Sequence, residues 1–473
     1  MINPLKIGLK GDPYRFLIRH SLALGKQMRS TFLSLQTLYG LGGCAVLALP
    51  SYASPSEHLV ALPVLIEQAI AHDPSLKTAH FREQAVEEKS IAAGTLPDPS
   101  ISIGMMNLPV DSFDFSQEAM TQLKIGISQM FPRGDVLALK QGQLSLQASR
   151  FPLLRAQRKA QLAVAVSLRW LDWYQAANTI KLINNDTILF EQLVDVAKAN
   201  YSSVTGSTRQ QDMIRAELEL VQLHDRLTIQ QQRKDIAIAA LSEWVELSRT
   251  MQSAPLSTPT ITLAHAGRSL FELSLNEIAD LIIEHPALRA IEVDYQVANK
   301  EVAVARQQYK PQWGVEASYA WRDDSVDAMN RADFFSVGVT FDLPLFTENR
   351  QDKGVSAAIA EAEAVKTERQ LQLRKMVADV NTLRQLLHRL MQRKDLYSNQ
   401  LLSQMQQQTD ATLTAYTNDD GSFTEVVRSR IALLNSQLSA LEIDVEILKT
   451  IVQLNYYLAP NIFGWEQKDG VQP

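Results

Sequence analysis

One block of this sequence occurs twice in fixed register, and that duplication limits the fold more than any single motif does. The first copy passes through His72-Asp73-Pro74-Ser75-Leu76, Leu96-Pro97-Asp98-Pro99, Ile125-Gly126-Ile127 and Phe131-Pro132. The second passes through Glu284-His285-Pro286-Ala287-Leu288, Tyr309-Lys310-Pro311, Val337-Gly338-Val339 and Leu343-Pro344. The pairs Pro74/Pro286, Pro99/Pro311, Gly126/Gly338, Pro132/Pro344 and Gly142/Gly354 are all 212 residues apart. Tyr201 to Gly206 then recurs as Tyr416 to Gly421 at 215, after a small insertion. Prolines and glycines fix backbone geometry, so their constant register marks a tandem duplication of one long structural unit.

The chain of 473 residues is long enough for several domains, but the repeat argues for one architecture in two halves. Residues 1–53 read as a secretory leader. Lys6, Lys10, Arg15, Arg19, Lys26 and Arg29 form a basic segment, an apolar run follows from Phe32 to Leu49, and Ser51-Tyr52-Ala53 fits a small-residue cleavage site. The lone cysteine, Cys44, follows Leu41-Gly42-Gly43 and either leaves with the leader or becomes lipidated, so no disulfide is expected. Removing six Lys/Arg and one Asp with the leader takes the net charge from −6 to −11. An acidic exported chain is a poor partner for nucleic acid.

The expected domains are 54–252, a first repeat with a β-hairpin over 100–131, and 274–459, a second with a hairpin over 312–343. A connector, 253–273, lies between them, and 460–473 forms a tail. The hairpins rest on period two. Apolar residues fall at Ile101, Ile103 and Met105, at Leu123, Ile125 and Ile127, and at Trp313, Val315, Ala317, Tyr319 and Trp321. Phe335, Val337, Val339 and Phe341 alternate in the same way with Ser336, Gly338, Thr340 and Asp342. Such alternation predicts strands with one apolar and one polar face. Each is about ten residues, the length a tilted membrane strand needs. Phe131, Trp313, Trp321 and Phe341 would suit interfacial girdles. Four strands cannot close a barrel, and lipid does not tolerate an open edge. If the strands span a membrane the chain must therefore oligomerise: two copies give eight strands and a filled interior, three give twelve and a passage.

Long helical stretches follow each hairpin, from about Asp135 to Asn200 and from about Arg350 to Thr414. At 1.5 Å per residue, helices of some 65 residues reach roughly 100 Å. Helices of that length must be coiled coils or struts. Leu162, Val166, Trp170, Trp173, Ala177 and Ile180 make one seam. Val427, Ile431, Leu434, Leu438, Leu441, Val445, Leu448 and Val452 make a stricter heptad seam that demands a partner helix. Pro152 predicts either a kink or a first-turn position that moves the helix start. The turns Tyr201 to Ser207 and Tyr416 to Ser422 would fold each long helix back on its successor. Glycine is expected there at the C-cap and serine as the next N-cap, and Gly206 and Gly421 are expected to need positive φ.

Leader, duplicated hairpin, proline-bounded strands, long helices and Tyr-to-Ser turns together resemble the TolC-type outer-membrane efflux duct family. The segment Leu96-Pro97-Asp98-Pro99 … Asn107-Leu108-Pro109 … Gln129 to Asp135 looks most like its heavy-metal cation branch. The resemblance covers about Leu59 to Leu458. It implies a mainly α chain carrying a membrane β-barrel: a homotrimer with a twelve-strand barrel in the outer membrane, continued by a coiled-coil helical tunnel into the periplasm. It further implies a periplasmic adaptor and an inner-membrane pump of the RND type as partners, with outer-membrane lipid around the barrel. The residues carried over are Tyr201, Gly206, Ser207, Asp212, Tyr416, Gly421 and Ser422 at the adaptor-facing tips. Pro99, Pro132, Pro311 and Pro344 would mark the barrel-to-helix junctions. Family members often carry acidic residues just after the second turn; here the matching positions are Glu425 and Arg428, and the arginine departs from that pattern.

Enzymatic motifs are missing from the sequence: it has no Walker loop, no dinucleotide fingerprint and no His-Glu-x-x-His. Neither enzyme nor cofactor is expected. His72 and His285 sit where helices break and are read as capping or solvated groups. Met105, Met106, Met120 and Met130 are read as packing residues rather than thioether ligands. Two other readings remain open: a duct for drugs or for type I protein secretion, and a secreted coiled-coil protein without a lumen.

Overall fold

The computed structural model describes residues 61–202, 210–247, 256, 259–264, 270–325, 327, 329–418 and 420–458. The leader with Cys44, the tail 460–473, Gly206, Ser207, His265 and part of the 253–273 connector lie outside the described residues, as do the side chains of residues 200–202.

Two rounds of the same element order follow one another. The first holds α1 (Leu62–His72), α2 (Pro74–Ala93), β1 (Ser100–Met106), β2 (Gln122–Phe131), α3 (Val136–Ala148), α4 (Arg150–Ser202) and α5 (Gln210–Leu241). The second holds α6 (Leu275–Ile282), α7 (Pro286–Arg306), β3 (Trp313–Trp321), β4 (Phe334–Phe341), α8 (Gln351–Leu396), α9 (Leu402–Thr417) and α10 (Phe423–Leu458). A π-helical turn, Tyr397–Leu401, joins α8 to α9. Pro152 falls in the first turn of α4, just after the α3–α4 break at Ser149, so it sets a helix start and does not kink a running helix.

Helices α2 and α7 begin alike. Each has proline at its first position, where the missing N–H would be unpaired anyway. The residue before the proline caps the helix, yet the chemistry differs between the repeats. Asp73 Oδ1 accepts the Ser75 N–H at 2.6 Å. At the matching position, His285 Nδ1 accepts the Ala287 N–H at 3.2 Å, and its Nε2–H donates to the Tyr456 carbonyl at 3.0 Å. His285 is thus a buried, neutral cap. His72, by contrast, is exposed beside the Gln68 carbonyl.

These two caps predict a pH dependence. Burial pushes the His285 pKa below the ordinary imidazole value, against the pull of the Tyr456 carbonyl. The unfolded chain therefore takes up the proton first. The cap's contribution is whole above about pH 6.5 and is lost as pH falls below it. At Asp73, burial raises the pKa, but hydrogen bonds from Ser75 and Arg158 outweigh it and hold the carboxyl below its usual range. That cap survives until the pH drops below the ordinary aspartate value. Melting of the protein is expected to fall between pH 7.5 and pH 5.5, and His285→Asn, which still caps but does not titrate, flattens that fall. An unchanged slope in the variant would assign the acid sensitivity to another group.

Helix α10 is the centre of the packing, with an apolar stripe toward each repeat. Val445 and Val452, with Leu441 and Leu448, pack among Leu65, Ile66, Val166, Trp170, Trp173 and Leu241. Lower down, Val427 and Leu434, with Ile431 and Leu438, meet Ile183, Phe190, Val194 and Leu223. The heptad seam thus finds its partner in α4 and α5. A second stripe, Ile443, Ile447, Ile451 and Leu454, faces Met376, Val380, Leu387 and Leu390 of α8. A helix buried along two stripes holds its neighbours in register.

Candidate functional site

At one end of the helices the strands form a single antiparallel sheet in the order β1-β2-β3-β4. The central pairing joins the two repeats, because β2 pairs with β3 from Leu123↔Trp321 to Phe131↔Trp313. Register sorts the two faces. One face carries the rows Ile101-Ile127-Ala317-Val337 and Ile103-Ile125-Tyr319-Phe335, ending in the aromatic row Phe131-Trp313-Phe341. The other face carries Ser102-Gly126-Ser318-Ser336 and Ser128-Glu316-Gly338, with Lys124 Nζ 3.4 Å from Glu316. Along its middle no described residue covers the apolar face, where Ile101, Ile103, Val337 and Phe335 all stand exposed; at one end Phe115 of the β1–β2 loop stacks on Trp321 at 5.5 Å. Among the described residues nothing pairs with the outer edges of β1 and β4 either.

Sheet and helices meet at a charged junction that runs between the repeats. Gly134, with φ +48°, turns the chain after β2 so tightly that a Cβ there would collide with Lys310 and Gln307. The turn lets the Gln307 side-chain oxygen accept the Asp135 N–H at 3.2 Å, and Lys310 Nζ reaches Asp135 at 3.0 Å. Arg133 donates to the Lys310 carbonyl at 2.7 Å and pairs with Asp342, which in turn accepts the Gln312 N–H at 2.7 Å. Pro99 and Pro132 flank β1 and β2, and Pro311 and Pro344 flank β3 and β4. Sequence reading found those prolines but missed Arg133, Lys310 and Asp342. The sequence signal for them was the Phe-Pro-Arg-Gly-Asp run.

The far end of α9 and α10 is a tight turn. Asn418 caps α9, its N–H donating to the Thr414 carbonyl at 3.1 Å, so glycine is not the C-cap here. Gly421 has no positive φ either. What requires glycine is proximity, since a Cβ would lie 2.8 Å from the Tyr416 amide nitrogen. Ser422 is the N-cap of α10, its hydroxyl accepting the Glu425 N–H at 3.3 Å. Tyr416 and Phe423 meet edge to face at 5.7 Å. Thr424 donates to Asp212 at 3.1 Å, tying this turn to the start of α5. Tyr201 lies in the last turn of α4. Glu425 and Arg428 are exposed and form no ion pair with each other.

A β-branched residue at Gly421 must push the Tyr416 backbone aside. Gly421→Val is expected to raise hydrogen exchange across 414–426 while leaving the sheet unchanged. Unchanged exchange across this turn would mean that the Tyr416 backbone has room to give.

Residues 278–459 match the family model described as outer membrane efflux protein. The matched segment lies within the second repeat and covers less than half of the chain. The fold around it is shared with solved channels. CusC aligns with a TM-score of 0.68 at 13% identity, over 84% of this chain and 91% of that one. VceC, the outer membrane protein of Vibrio cholerae, gives 0.68 at 16% over 84% and 95%. The outer-membrane channel OprN gives 0.68 at 16% over 84% and 89%. No curated protein sequence matches the chain.

In the efflux-protein fold the remaining candidates stay apart. Among the described residues no three His, Cys, Asp or Glu side chains gather as a metal site. Met105 lies on the apolar face, Met106 and Met130 lie at opposite ends of the polar one, and Met120 sits in the β1–β2 loop. No described helix is long and apolar enough to cross a membrane.

Proposed function

We propose that this chain is the outer-membrane channel of a tripartite efflux system and conducts heavy-metal cations passively from periplasm to exterior. The observation that carries the reading is the sheet: one apolar face, one polar face and two open edges in a chain of efflux-protein fold. Three copies would pair those edges into a twelve-strand barrel with lipid outside and water within. The polar helical surface, including Gln400, Gln404, Gln406, Gln407 and Gln408, is exposed and suits a tunnel wall. A periplasmic adaptor would meet the tips at Tyr201, Gly206, Ser207, Asp212, Tyr416, Gly421 and Ser422, and an RND-type pump would drive export. Glu425 and Arg428 would ring the entrance. The prolines at 99, 132, 311 and 344 would stand where barrel becomes tunnel. The cation cargo rests on the likeness of segment 96–135 to the heavy-metal branch. Weak sites suit that cargo, since conduction needs ions to leave as easily as they enter.

Growth of a deletion strain across copper, silver, zinc, cadmium, cobalt, bile salts and dyes tests the cargo. Selective metal sensitivity is expected. Sensitivity to dyes and detergents alone would keep the duct and discard the metals. Release of the protein in soluble form, without detergent, would discard the duct.

A further inference from the structure

The 212-residue offset acts as a symmetry operation, and it reveals a joint that one chain leaves half made. Within the chain, the segment after β2 closes on the segment before β3 through Arg133, Asp135, Gln307 and Lys310. Alongside, Gln143 donates to Glu301 at 2.8 Å and Arg150 pairs with Asp294 at 3.1 Å. Among the described residues the segment after β4, 343–349, has no such neighbour. Leu343 and Leu345 stand exposed there, and Phe346 is 91% exposed. The segment before β1 is equally bare. Helix α7, flanked on both sides, buries Pro286, Ala287, Leu288, Ala290, Val302 and Val304, whereas its counterpart α2 buries only Ser90. Phe81 and Ile91 on α2, and Leu96 beyond it, are exposed.

We propose that a second copy of this chain completes the joint, with Leu345 and Phe346 of one protomer seated on residues 95–98 and α2 of the next. This rests on the oligomeric duct and adds the chemistry of its seam. The repeat itself supplies the geometry. Shifting by 212 carries Arg133-Gly134-Asp135 onto Leu345-Phe346-Thr347, and Gln307 and Lys310 onto Thr95 and Asp98. Residues 133–135 lie against Gln307 and Lys310, so the register places the 345–347 segment beside the 95–98 segment of the neighbour; Phe346 lacks the left-handed φ of Gly134 and does not reproduce its turn. The open edges of β4 and β1 point to the same pairing.

Polar contacts do not survive the shift. Arg150/Asp294 becomes Ala362/Arg82, Gln143/Glu301 becomes Val355/Lys89, and Arg133/Lys310 becomes Leu345/Asp98. The joint inside a chain is an ion clamp, and the joint between chains is a knuckle of Leu345 and Phe346 that meets the apolar Leu96 and Pro97 beside the charged Asp98. Two clamps of different chemistry keep the repeats in alternating order around a ring, because neither half can replace the other without leaving charges unmatched.

Disulfide trapping in membranes tests the seam. Thr95→Cys with Phe346→Cys is expected to give, on oxidation, bands of two and three chain masses that neither single variant gives, with Cys44 present in all three. Native mass spectrometry of the wild type sets the reference. A trimer whose double variant never cross-links overturns the knuckle and leaves the duct standing. A wild-type monomer in that measurement overturns the duct and the knuckle together. A bimane label on Phe346→Cys supplies a second reading. Protection from brominated lipid supports the seam, and quenching by it places Phe346 in the membrane and overturns it.

Discussion

In the proposed barrel, Val337→Arg is expected to keep the protein out of the membrane and to reduce efflux to the level of the deletion strain. Val337 sits mid-strand in β4 and faces the same way as Ala317, Ile127 and Ile101 across all four strands. In a barrel that row meets hydrocarbon near the bilayer centre. An arginine there costs about 2–4 kcal/mol in each copy, and every copy in the ring carries it. Gly338 is the control. It is the next residue, points to the other face, has open space where a Cβ would go and stands opposite Glu316. Gly338→Arg gains a carboxylate partner and a watery lumen, so it is expected to assemble normally and to alter ion selectivity. The readout is the amount of each variant in detergent-extracted outer membranes. In a sheet surrounded by water, Val337 is already exposed and its arginine variant would be harmless. Equal yields would therefore put the apolar face in water.

The faces behind that contrast were legible because period two is written in consecutive residues. Trp313 to Trp321 alternates without a break, and the sheet follows it. The seam of α10 was legible for the same reason, through spacings of three and four from Val427 to Val452. What stayed hidden was pairing across long separations. Nothing local in β2 says that its second neighbour is β3, some 190 residues on, and not a strand of another chain. The clamp of Arg133 with Lys310 and Asp342 is hidden likewise, since each charge alone reads as a solvated residue. His285 looked like a helix-break residue, and only the fold shows the Tyr456 carbonyl that fixes its tautomer. In the α9–α10 turn the expected left-handed φ at Gly421 is absent: the glycine answers to a close backbone approach, which a sequence does not display.

Arg430→Ala is expected to loosen the lower half of the helical region more than any surface change there. Asp186 on α4 is almost fully buried, its side chain 5% exposed, and Arg430 on α10 gives it both Nε, at 3.0 Å, and Nη2, at 2.6 Å. The pair lies beside Ile183, Phe190, Val427 and Leu434, so little water can reach the carboxylate. Removing the arginine leaves a buried charge without compensation, which costs about 3–5 kcal/mol. Arg430→Lys keeps the charge and loses the two-pronged donor, so it falls between. The double change Asp186→Leu/Arg430→Leu removes both charges and is expected to lie far nearer the wild type than Arg430→Ala, because desolvating an ion pair offsets much of its attraction. Lys449 and Asp172, 2.7 Å apart but each partly open to solvent, give the contrast: their separation is expected to matter little. Hydrogen exchange reads the difference by place. Protection is expected to drop across 183–197 and 423–438 in Arg430→Ala while the upper cluster around Trp170 and Val445 keeps its own. A double variant as unprotected as the single would mean that the pair is not coupled, and that the lower seam is held by its aliphatic stripe alone.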